Sequence, residues 1–332
     1  MVCGLLAALL VLLFPLRISR LTSALSAAPA LSPDMAITAL RAPAPSPPPP
    51  HVAPGERADA AFSRDGLRST VDGGLLMIPS TFSSEDGAYD LVVHFHGEAG
   101  TVMENVAYAG LDAVVAVVNL GAGSWVYEDH FGLPWALPLI LEQTQTALEK
   151  RGLRGAKLRR VALSGFSAGC AAVRRILLEQ PAMADRVDAV LLLDGLHVDY
   201  SPRDHSLLMD RLDGIERFAR QASLGKKLMS ITHSEVIPAG DYASTRETTG
   251  KLMEHLGVAW AVSTVAPEPP ELPSMRGLPV HRLVPVRQAD AGDLHVRGYA
   301  GDQKDDHLAH LLQMSVTVLP DLVRYWSRGA AE

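Results

Sequence analysis

The chain has 332 residues, of which 48% are apolar and 20% are charged, so it is long and apolar enough to bury a full globular core. Its formal net charge is −7 and it contains no long basic run, which argues against nucleic acid as the main partner. The two cysteines, Cys3 and Cys170, are too few for a disulfide framework and therefore indicate no particular compartment.

Residues 1–27 are predicted to form a hydrophobic leader, either a signal peptide or a membrane anchor. The apolar run at 2–16 is long enough for the core of a signal peptide and shorter than the ~20 residues that span a bilayer. Arg17 and Arg20 follow this run and no basic residue precedes it, which is opposite to the usual charge order of an export signal. We expect an extracytoplasmic protein, secreted or associated with a membrane through this segment. If Met35 is the true start, the protein is cytoplasmic instead.

Residues 28–57 are predicted to be a disordered, proline-rich linker. The stretch "RAPAPSPPPPHVAPGER" at 41–57 favours an extended polyproline conformation and has little side-chain surface to bury in a core. The remaining residues, 58–332, are expected to form one domain that folds without the leader and the linker.

From residue 58 onward, strand-like and helix-like segments alternate along the chain. Apolar and β-branched runs predict strands at 73–80, 89–97, 112–121, 157–164, 187–195, 226–234 and 294–301. Helical spacing predicts helices at 135–152, 168–180, 207–222, 244–256 and 306–326, the last interrupted by Pro320. A proline-rich stretch at 268–277 is expected to be exposed. Because strands separated by helices require crossovers, the alternation predicts an α/β fold with a mostly parallel central sheet and helices on both faces.

The segment Gly165-Phe166-Ser167-Ala168-Gly169 lies between a predicted strand and a predicted helix, as in a nucleophile elbow. A serine at such a sharp turn has a strained backbone and an exposed hydroxyl group. Side chains two residues before and after the serine would collide, so glycine is expected at both positions. Because Ala168 begins the helix, its N–H can point at the site and stabilise an oxyanion.

With this elbow, the chain resembles the α/β-hydrolase family over 73–326. The resemblance also depends on "HFHG" after a buried strand and on a histidine after the last predicted strand. It implies that Ser167 is a nucleophile, followed along the chain by an acid and then a histidine. It further implies a second oxyanion donor in the turn formed by Gly97, Glu98 and Ala99, of which we favour the N–H of Glu98 or Ala99.

The histidine that would activate the serine lies in "GDQKDDHLAHLLQM". A serine hydroxyl is a weak nucleophile near neutral pH and needs a positioned imidazole to remove its proton. His307 lies at the start of the closing helix, where it can reach over the edge of the sheet. His310 lies one turn later and is more consistent with packing between helix and sheet. We therefore favour His307 and keep His310 as the alternative.

The acid must orient that imidazole, which requires a carboxylate at the end of a strand. Asp194, in "LLLDGLH", follows the strand after the elbow and is our first choice. An aspartate before a glycine is also a common turn residue with no catalytic role. The next predicted strand is followed by "ITHSEVIPAGDYAS", which offers Glu235 and Asp241 as alternatives.

A metal site is the competing interpretation of the histidines in "HFHG". His94 and His96 are two residues apart, so on a strand both would point to one face and could bind a metal together with Asp194, His197 or His233. No second ligand-rich motif occurs at a recognisable spacing. We therefore expect no metal and no cofactor, with His94 in the core and His96 shaping the loop.

These residues together predict a serine hydrolase that cleaves an ester or related acyl bond in a small-molecule or acylated substrate. Trp125 and Tyr127 follow a predicted strand at the functional edge of the sheet and are expected to line a substrate pocket. The alternative is a non-catalytic binding or scaffold protein, because a fold alone does not determine activity. A hydrolase that uses histidine-bound metal is the third possibility.

Overall fold

A computed structural model describes residues 68–78, 82, 84–278 and 281–328 of the chain. The predicted leader at 1–27, the predicted linker at 28–57 and the first part of the predicted domain at 58–67 lie outside the described residues. Within the described ranges, no helix is long and apolar enough to cross a bilayer.

One sheet dominates the part of the chain that the structure describes. Its ten strands are β1 (Arg68–Val71), β2 (Gly74–Met77), β3 (Ala88–Phe95), β4 (Val114–Val118), β5 (Lys157–Phe166), β6 (Ala189–Leu193), β7 (Leu228–His233), β8 (Ala261–Val262), β9 (Val284–Ala291) and β10 (Leu294–Ala300). They lie in the order β1-β2-β4-β3-β5-β6-β7-β10-β9-β8. The six central strands, from β4 to β10 in that order, are mutually parallel, and the outer strands pair antiparallel. The predicted mostly parallel sheet is confirmed.

The central strands β4 and β6 are apolar and buried along their whole length because both faces of the sheet are covered. Successive residues of β3 point to opposite faces, so Leu91 and Val93 pack in one core cluster while Val92 packs in another. The other strands and the helices pack in the same clusters. The helices α1 to α10 are Ala99–Tyr108, Ser124–Phe131, Ala136–Lys150, Cys170–Glu179, Pro181–Arg186, Asp213–Ser223, Thr245–Leu256, Lys304–Leu312, Met314–Thr317 and Leu319–Arg328.

The closing helix is divided differently from the prediction. We expected one helix at 306–326 with an interruption at Pro320, whereas the segment forms three helices, α8, α9 and α10, separated at Gln313 and Val318. Pro320 is the second residue of α10. It fits there because the first N–H groups of a helix have no partner within the helix, so proline removes no hydrogen bond.

Several elements were not predicted, and one stretch is more buried than expected. The sequence did not predict the strands β1, β8 and β9 or the helices α1, α2 and α5. The stretch 268–277 was expected to be exposed, but Leu272 and Met275 are buried against Leu312 of α8.

Within the described residues, three of the four residues other than glycine that have a positive φ angle lie at one edge of the sheet, and the fourth is His205. His96, Ser167 and Asp194 follow the carboxyl ends of β3, β5 and β6, and have φ angles of +67°, +50° and +44°. Residues other than glycine seldom adopt this left-handed conformation, and such strain is most often found at functional sites. These three adjacent strand ends therefore define the part of the molecule to examine for chemistry.

Candidate active site

Ser167 lies at a turn with the geometry expected of a nucleophile elbow. Strand β5 ends at Phe166, and a short 3₁₀ helix, Ser167–Gly169, leads directly into α4. A Cβ atom added to Gly165 would lie 2.8 Å from the Cys170 backbone nitrogen. A Cβ atom added to Gly169 would lie 1.9 Å from the Phe95 carbonyl oxygen. Close backbone approach, rather than an unusual φ angle, therefore requires glycine at both positions.

We predict that Gly169→Ala destabilises the protein by more than about 4 kcal/mol, as expected when a substitution forces backbone atoms apart. The matched control is Gly250→Ala in α7, where an added Cβ meets nothing within 4 Å. That change should raise stability by about 0.5–1 kcal/mol, because alanine favours a helix over glycine. Urea unfolding of both variants tests the prediction. A Gly169→Ala midpoint equal to that of the wild type would contradict the close contact with β3.

His307 is hydrogen-bonded to Asp194 at the same edge of the sheet. His307 lies in the first turn of α8, and its Nδ1 is 2.7 Å from Asp194 Oδ2. A carboxylate only accepts hydrogen bonds, so Nδ1–H donates, and in the neutral imidazole Nε2 then carries no proton. The other carboxylate oxygen, Oδ1, accepts the N–H of Ser234 at 2.8 Å. The imidazole is thereby fixed in the tautomer that a general base requires.

The Asp194 carboxyl is almost completely buried, with 1% of its side chain exposed. Burial alone would raise its pKa, but the adjacent imidazoles of His310 and His307 and the Ser234 N–H lower it well below the ordinary range. Asp194 is therefore a carboxylate at neutral pH and can stabilise a positive charge on His307.

The alternative acids and the alternative histidine occupy other positions. Glu235 pairs with Arg246 at 3.2 Å, and Asp241 is exposed on its loop. The ring of His310 is buried, with Nδ1 2.8 Å from Thr232 Oγ1, and burial lowers its pKa to about 4. His310 Nε2 is 3.9 Å from Asp194 Oδ2 and has no hydrogen-bond partner within the described residues. Of the proposed carboxylates, Asp194 is the one that His307 contacts.

The imidazole of His307 packs against the residue that precedes Ser167. The rings of His307 and Phe166 are stacked, with centroids 4.7 Å apart and an interplanar angle of 28°. The side chain of Ser167 makes no hydrogen bond within the described residues. Catalytic hydrogen bonds in unliganded sites are often long and tighten only when substrate binds. The structure thus brings Ser167, His307 and Asp194 to one edge, with the histidine–carboxylate bond formed.

The turn after β3 narrows the choice of the second oxyanion donor. The Gly97 N–H donates to Asn119 Oδ1 at 2.9 Å, so Gly97, one of the predicted donors, is not available. The Glu98 N–H makes no hydrogen bond in the described part of the chain, while its side chain caps α1 by accepting two N–H groups. Ala99 is the first residue of α1, and Ala168 is the first residue after Ser167. The N–H groups of Glu98, Ala99 and Ala168 therefore remain without a hydrogen bond in the described part of the chain.

No protein-family model and no curated protein matches this chain. Among solved structures, it is similar to TT1662 from Thermus thermophilus, with 13% identity, a TM-score of 0.44, and coverage of 78% of this chain and 97% of the other. Est1E from Butyrivibrio proteoclasticus has 10% identity and a TM-score of 0.38, with coverage of 79% and 99%. LpqC, a poly(3-hydroxybutyrate) depolymerase from Bordetella parapertussis, has 15% identity and a TM-score of 0.41, with coverage of 77% and 92%.

The topology of the chain itself decides its fold. A serine follows β5 at a strained strand-to-helix turn, a carboxylate follows β6, and a histidine follows β10, all at the carboxyl edge of a mostly parallel sheet. The protein has the α/β-hydrolase fold. The predicted fold class is confirmed, and no subfamily is assigned.

The two histidines of "HFHG" bond to different partners in the structure. His94 is buried in β3, where Nδ1 is 2.8 Å from Ser164 Oγ and Nε2 is 3.1 Å from the His96 carbonyl oxygen. His96 lies beyond the strand, with Nδ1 3.1 Å from Tyr127 Oη. Because β3 ends at Phe95 and His96 has a φ angle of +67°, the two-residue spacing of a strand does not apply to this pair. Within the described residues, no group of three or more His, Cys, Asp or Glu side chains could hold a metal ion.

The two aromatic residues predicted to line a substrate pocket differ in position. Trp125 is 67% exposed near the start of α2 and remains available to a substrate. The Tyr127 side chain is fully buried, so the prediction that it lines a pocket is wrong. Its hydroxyl accepts the Leu120 N–H at 3.2 Å and bonds to His96 Nδ1. Tyr127 thus supports the turn at His96 from beneath.

Asn119 is the residue at this site that the sequence analysis missed. It directly follows the buried strand β4, and its side chain contacts the turn after β3. The only signal in the sequence was its position as the first polar residue after an apolar run.

Proposed function

We propose that this protein is a serine hydrolase that cleaves an ester or related acyl bond through an acyl-enzyme on Ser167. One observation supports the proposal most strongly. The buried Asp194 carboxylate holds the Nδ1–H of His307 at 2.7 Å, at the same sheet edge as the strained Ser167. A merely structural aspartate would need neither a partly exposed imidazole as its partner nor a serine with φ +50° at the end of the neighbouring strand.

In the proposed reaction, His307 Nε2 removes the proton from Ser167 Oγ as Oγ forms a bond to the acyl carbon. The carbonyl oxygen becomes an oxyanion, which accepts hydrogen bonds from the Ala168 and Glu98 N–H groups. The bond to the leaving group then breaks, and the proton on Nε2 moves to the departing oxygen or nitrogen. A water molecule repeats the sequence on the acyl-enzyme and releases the acid, which restores Ser167.

We predict that a fluorophosphonate probe labels the wild-type protein and that Ser167→Ala abolishes the labelling. The matched control is Ser327→Ala, which removes an exposed hydroxyl in α10 that bonds only to the Arg324 carbonyl oxygen. That variant should be labelled at the wild-type rate. Fluorescence after gel electrophoresis measures the labelling, and mass spectrometry of the adduct locates it.

Two outcomes would favour the other functions. A folded wild-type protein that is not labelled and hydrolyses no ester probe supports the non-catalytic scaffold. Hydrolysis that survives Ser167→Ala, and that a chelator abolishes and zinc restores, supports the metal-dependent alternative. Either result would reject the acyl-enzyme on Ser167.

A further inference from the structure

The turn His96-Gly97-Glu98 is held by side chains from two neighbouring strands. The Gly97 N–H donates to Asn119 Oδ1 at 2.9 Å, and Asn119 Nδ2–H donates to the Gly97 carbonyl oxygen at 2.8 Å. One side-chain amide therefore contacts both peptide groups that flank Gly97. The two bonds also fix which end of the amide is oxygen and which is nitrogen, because the N–H can only donate and the carbonyl can only accept.

The His96–Gly97 peptide group is also held at its carbonyl oxygen. The carbonyl oxygen of His96 accepts the Nε2–H of the buried His94 at 3.1 Å. Nδ1 of that ring therefore accepts the hydroxyl hydrogen of Ser164 at 2.8 Å. Because burial lowers the pKa of His94 to about 3, the ring is neutral and this pattern of donors persists at physiological pH. The His96–Gly97 peptide is thus fixed at both its oxygen and its nitrogen.

The second peptide group, Gly97–Glu98, is held only at its oxygen. A trans peptide places its C=O and its N–H in opposite directions, and the described chain has no cis peptide bond. Asn119 follows β4, which lies on one side of β3, while Ser167 follows β5, which lies on the other side. A carbonyl group that points toward Asn119 leaves the Glu98 N–H pointing to the side of Ser167. The turn at Ser167 also approaches the end of β3 closely, at Gly169 and Phe95. This approach keeps the turn that carries Glu98 near the turn that carries Ser167.

We propose that Asn119 is a positioning residue that aims the Glu98 N–H at the oxyanion of the Ser167 reaction. This inference rests on the proposed function. Removing an oxyanion donor typically lowers kcat by about 10²–10³-fold, and the effect depends on donor geometry within a few tenths of an ångström. The loss of its positioning residue should lower kcat by at least about tenfold and leave KM nearly unchanged, since Asn119 does not bind the acyl group.

The experiment compares Asn119→Ala with the wild type in two ways. The first measurement is the rate of fluorophosphonate labelling at Ser167, together with kcat and KM for p-nitrophenyl acetate. The second is backbone hydrogen exchange of the segment 95–101, which reports the Gly97 N–H whether or not the protein hydrolyses anything. We expect slower labelling by at least about tenfold, a lower kcat at constant KM, and faster exchange in that segment.

Two further variants make the test specific. Gln145→Ala removes an exposed amide in α3 that bonds only to Glu149, and it should leave every readout unchanged. Asn119→Asp keeps the acceptor for the Gly97 N–H but replaces the donor to the Gly97 carbonyl with an oxygen. This variant should be at least as slow as Asn119→Ala, and wild-type kinetics in it would overturn the role of the Gly97–Glu98 peptide.

The outcomes separate this inference from the proposed function. A wild-type protein that is not labelled overturns both. A labelled wild type with an equally fast Asn119→Ala variant overturns the role of Asn119 alone. A fall in thermal stability together with a proportional loss of labelling would show a structural residue, and would also overturn the inference. Because Asn119 is exposed and its backbone N–H stays bonded to the Gly73 carbonyl oxygen, we expect the fold to be kept.

Discussion

Replacing Asp194 with asparagine is expected to lower kcat for an ester probe by roughly 10⁴-fold while the protein remains folded. The two side chains have the same shape, and asparagine tolerates the left-handed backbone that Asp194 adopts at φ +44°. A serine-dependent hydrolase assay and far-ultraviolet circular dichroism measure the two parts of this prediction.

The large expected loss of kcat depends on the hydrogen bond from the Ser234 N–H. That group donates to Oδ1 of residue 194 at 2.8 Å, so the asparagine must place its oxygen there. Its NH₂ group then faces His307 Nδ1, which lies 2.7 Å from the other carboxylate oxygen in the wild type. An NH₂ group only donates, so Nδ1 must accept and the imidazole proton moves to Nε2. In that tautomer His307 cannot remove the proton from Ser167.

The other two carboxylates considered for this role provide the controls. Glu235→Gln breaks an ion pair with Arg246, and Asp241→Asn changes an exposed side chain. Both variants should keep activity within about twofold of the wild type, because exposed pairs contribute little. If one of them loses activity and Asp194→Asn does not, the acid of the reaction is not Asp194.

The sequence predicted the fold better than it predicted the side-chain contacts, for a physical reason. A parallel strand that is covered on both faces is mostly apolar, so β3, β4 and β6 are visible as runs. The turn at Ser167 was recognisable because close backbone approach restricts Gly165 and Gly169 to one residue type. The short helices α1 and α2 have weaker signals, since eight to ten residues give too few repeats of the 3.6-residue period.

The choice between Asp194 and its two alternatives needed tertiary contacts. The sequence placed each carboxylate after a strand, but strand position does not tell which oxygen reaches His307 or that Ser234 holds the other one. Tyr127 shows the same limit. Its position after a strand was visible in the sequence, but its burial in a core cluster is a tertiary contact that the sequence does not reveal.

The second large effect concerns stability in mild acid, which is expected to fall steeply between pH 6.5 and pH 5. Three imidazoles are buried and neutral in the folded protein: burial lowers the pKa of His94 to about 3, that of His233 to about 4 and that of His310 to about 4. In the unfolded chain a histidine titrates near ~6.5. Below that pH the unfolded state binds more protons than the folded state, so unfolding becomes more favourable as the pH falls.

The expected loss of unfolding free energy at pH 5 is comparable with the whole stability of a domain. At pH 5 each of the three imidazoles is about 1.5 pH units below its unfolded pKa and still neutral when folded, which costs about 2 kcal/mol each and about 6 kcal/mol together. Folded domains are typically stable by only about 5–15 kcal/mol. The lowered pKa of the buried His197 and of His96 acts in the same direction. The raised pKa of Asp188, caused mainly by burial, acts in the opposite direction.

Urea unfolding at half-unit steps from pH 7.5 to pH 5 measures the effect, and His310→Gln tests its origin. An amide of similar size can still bond to Thr232 but does not titrate. The variant should therefore take up one proton fewer on unfolding, and its unfolding free energy should depend less steeply on pH. The difference in slope is about 1.4 kcal/mol per pH unit below pH 6. Gln145→Ala, which removes an exposed amide that does not titrate, should keep the wild-type slope. A wild-type stability that is flat down to pH 5 would show that the buried imidazoles are protonated in the folded state. In that case His94 would not be neutral, and the hydrogen bonds by which it holds the turn beside Ser167 would have to be assigned again.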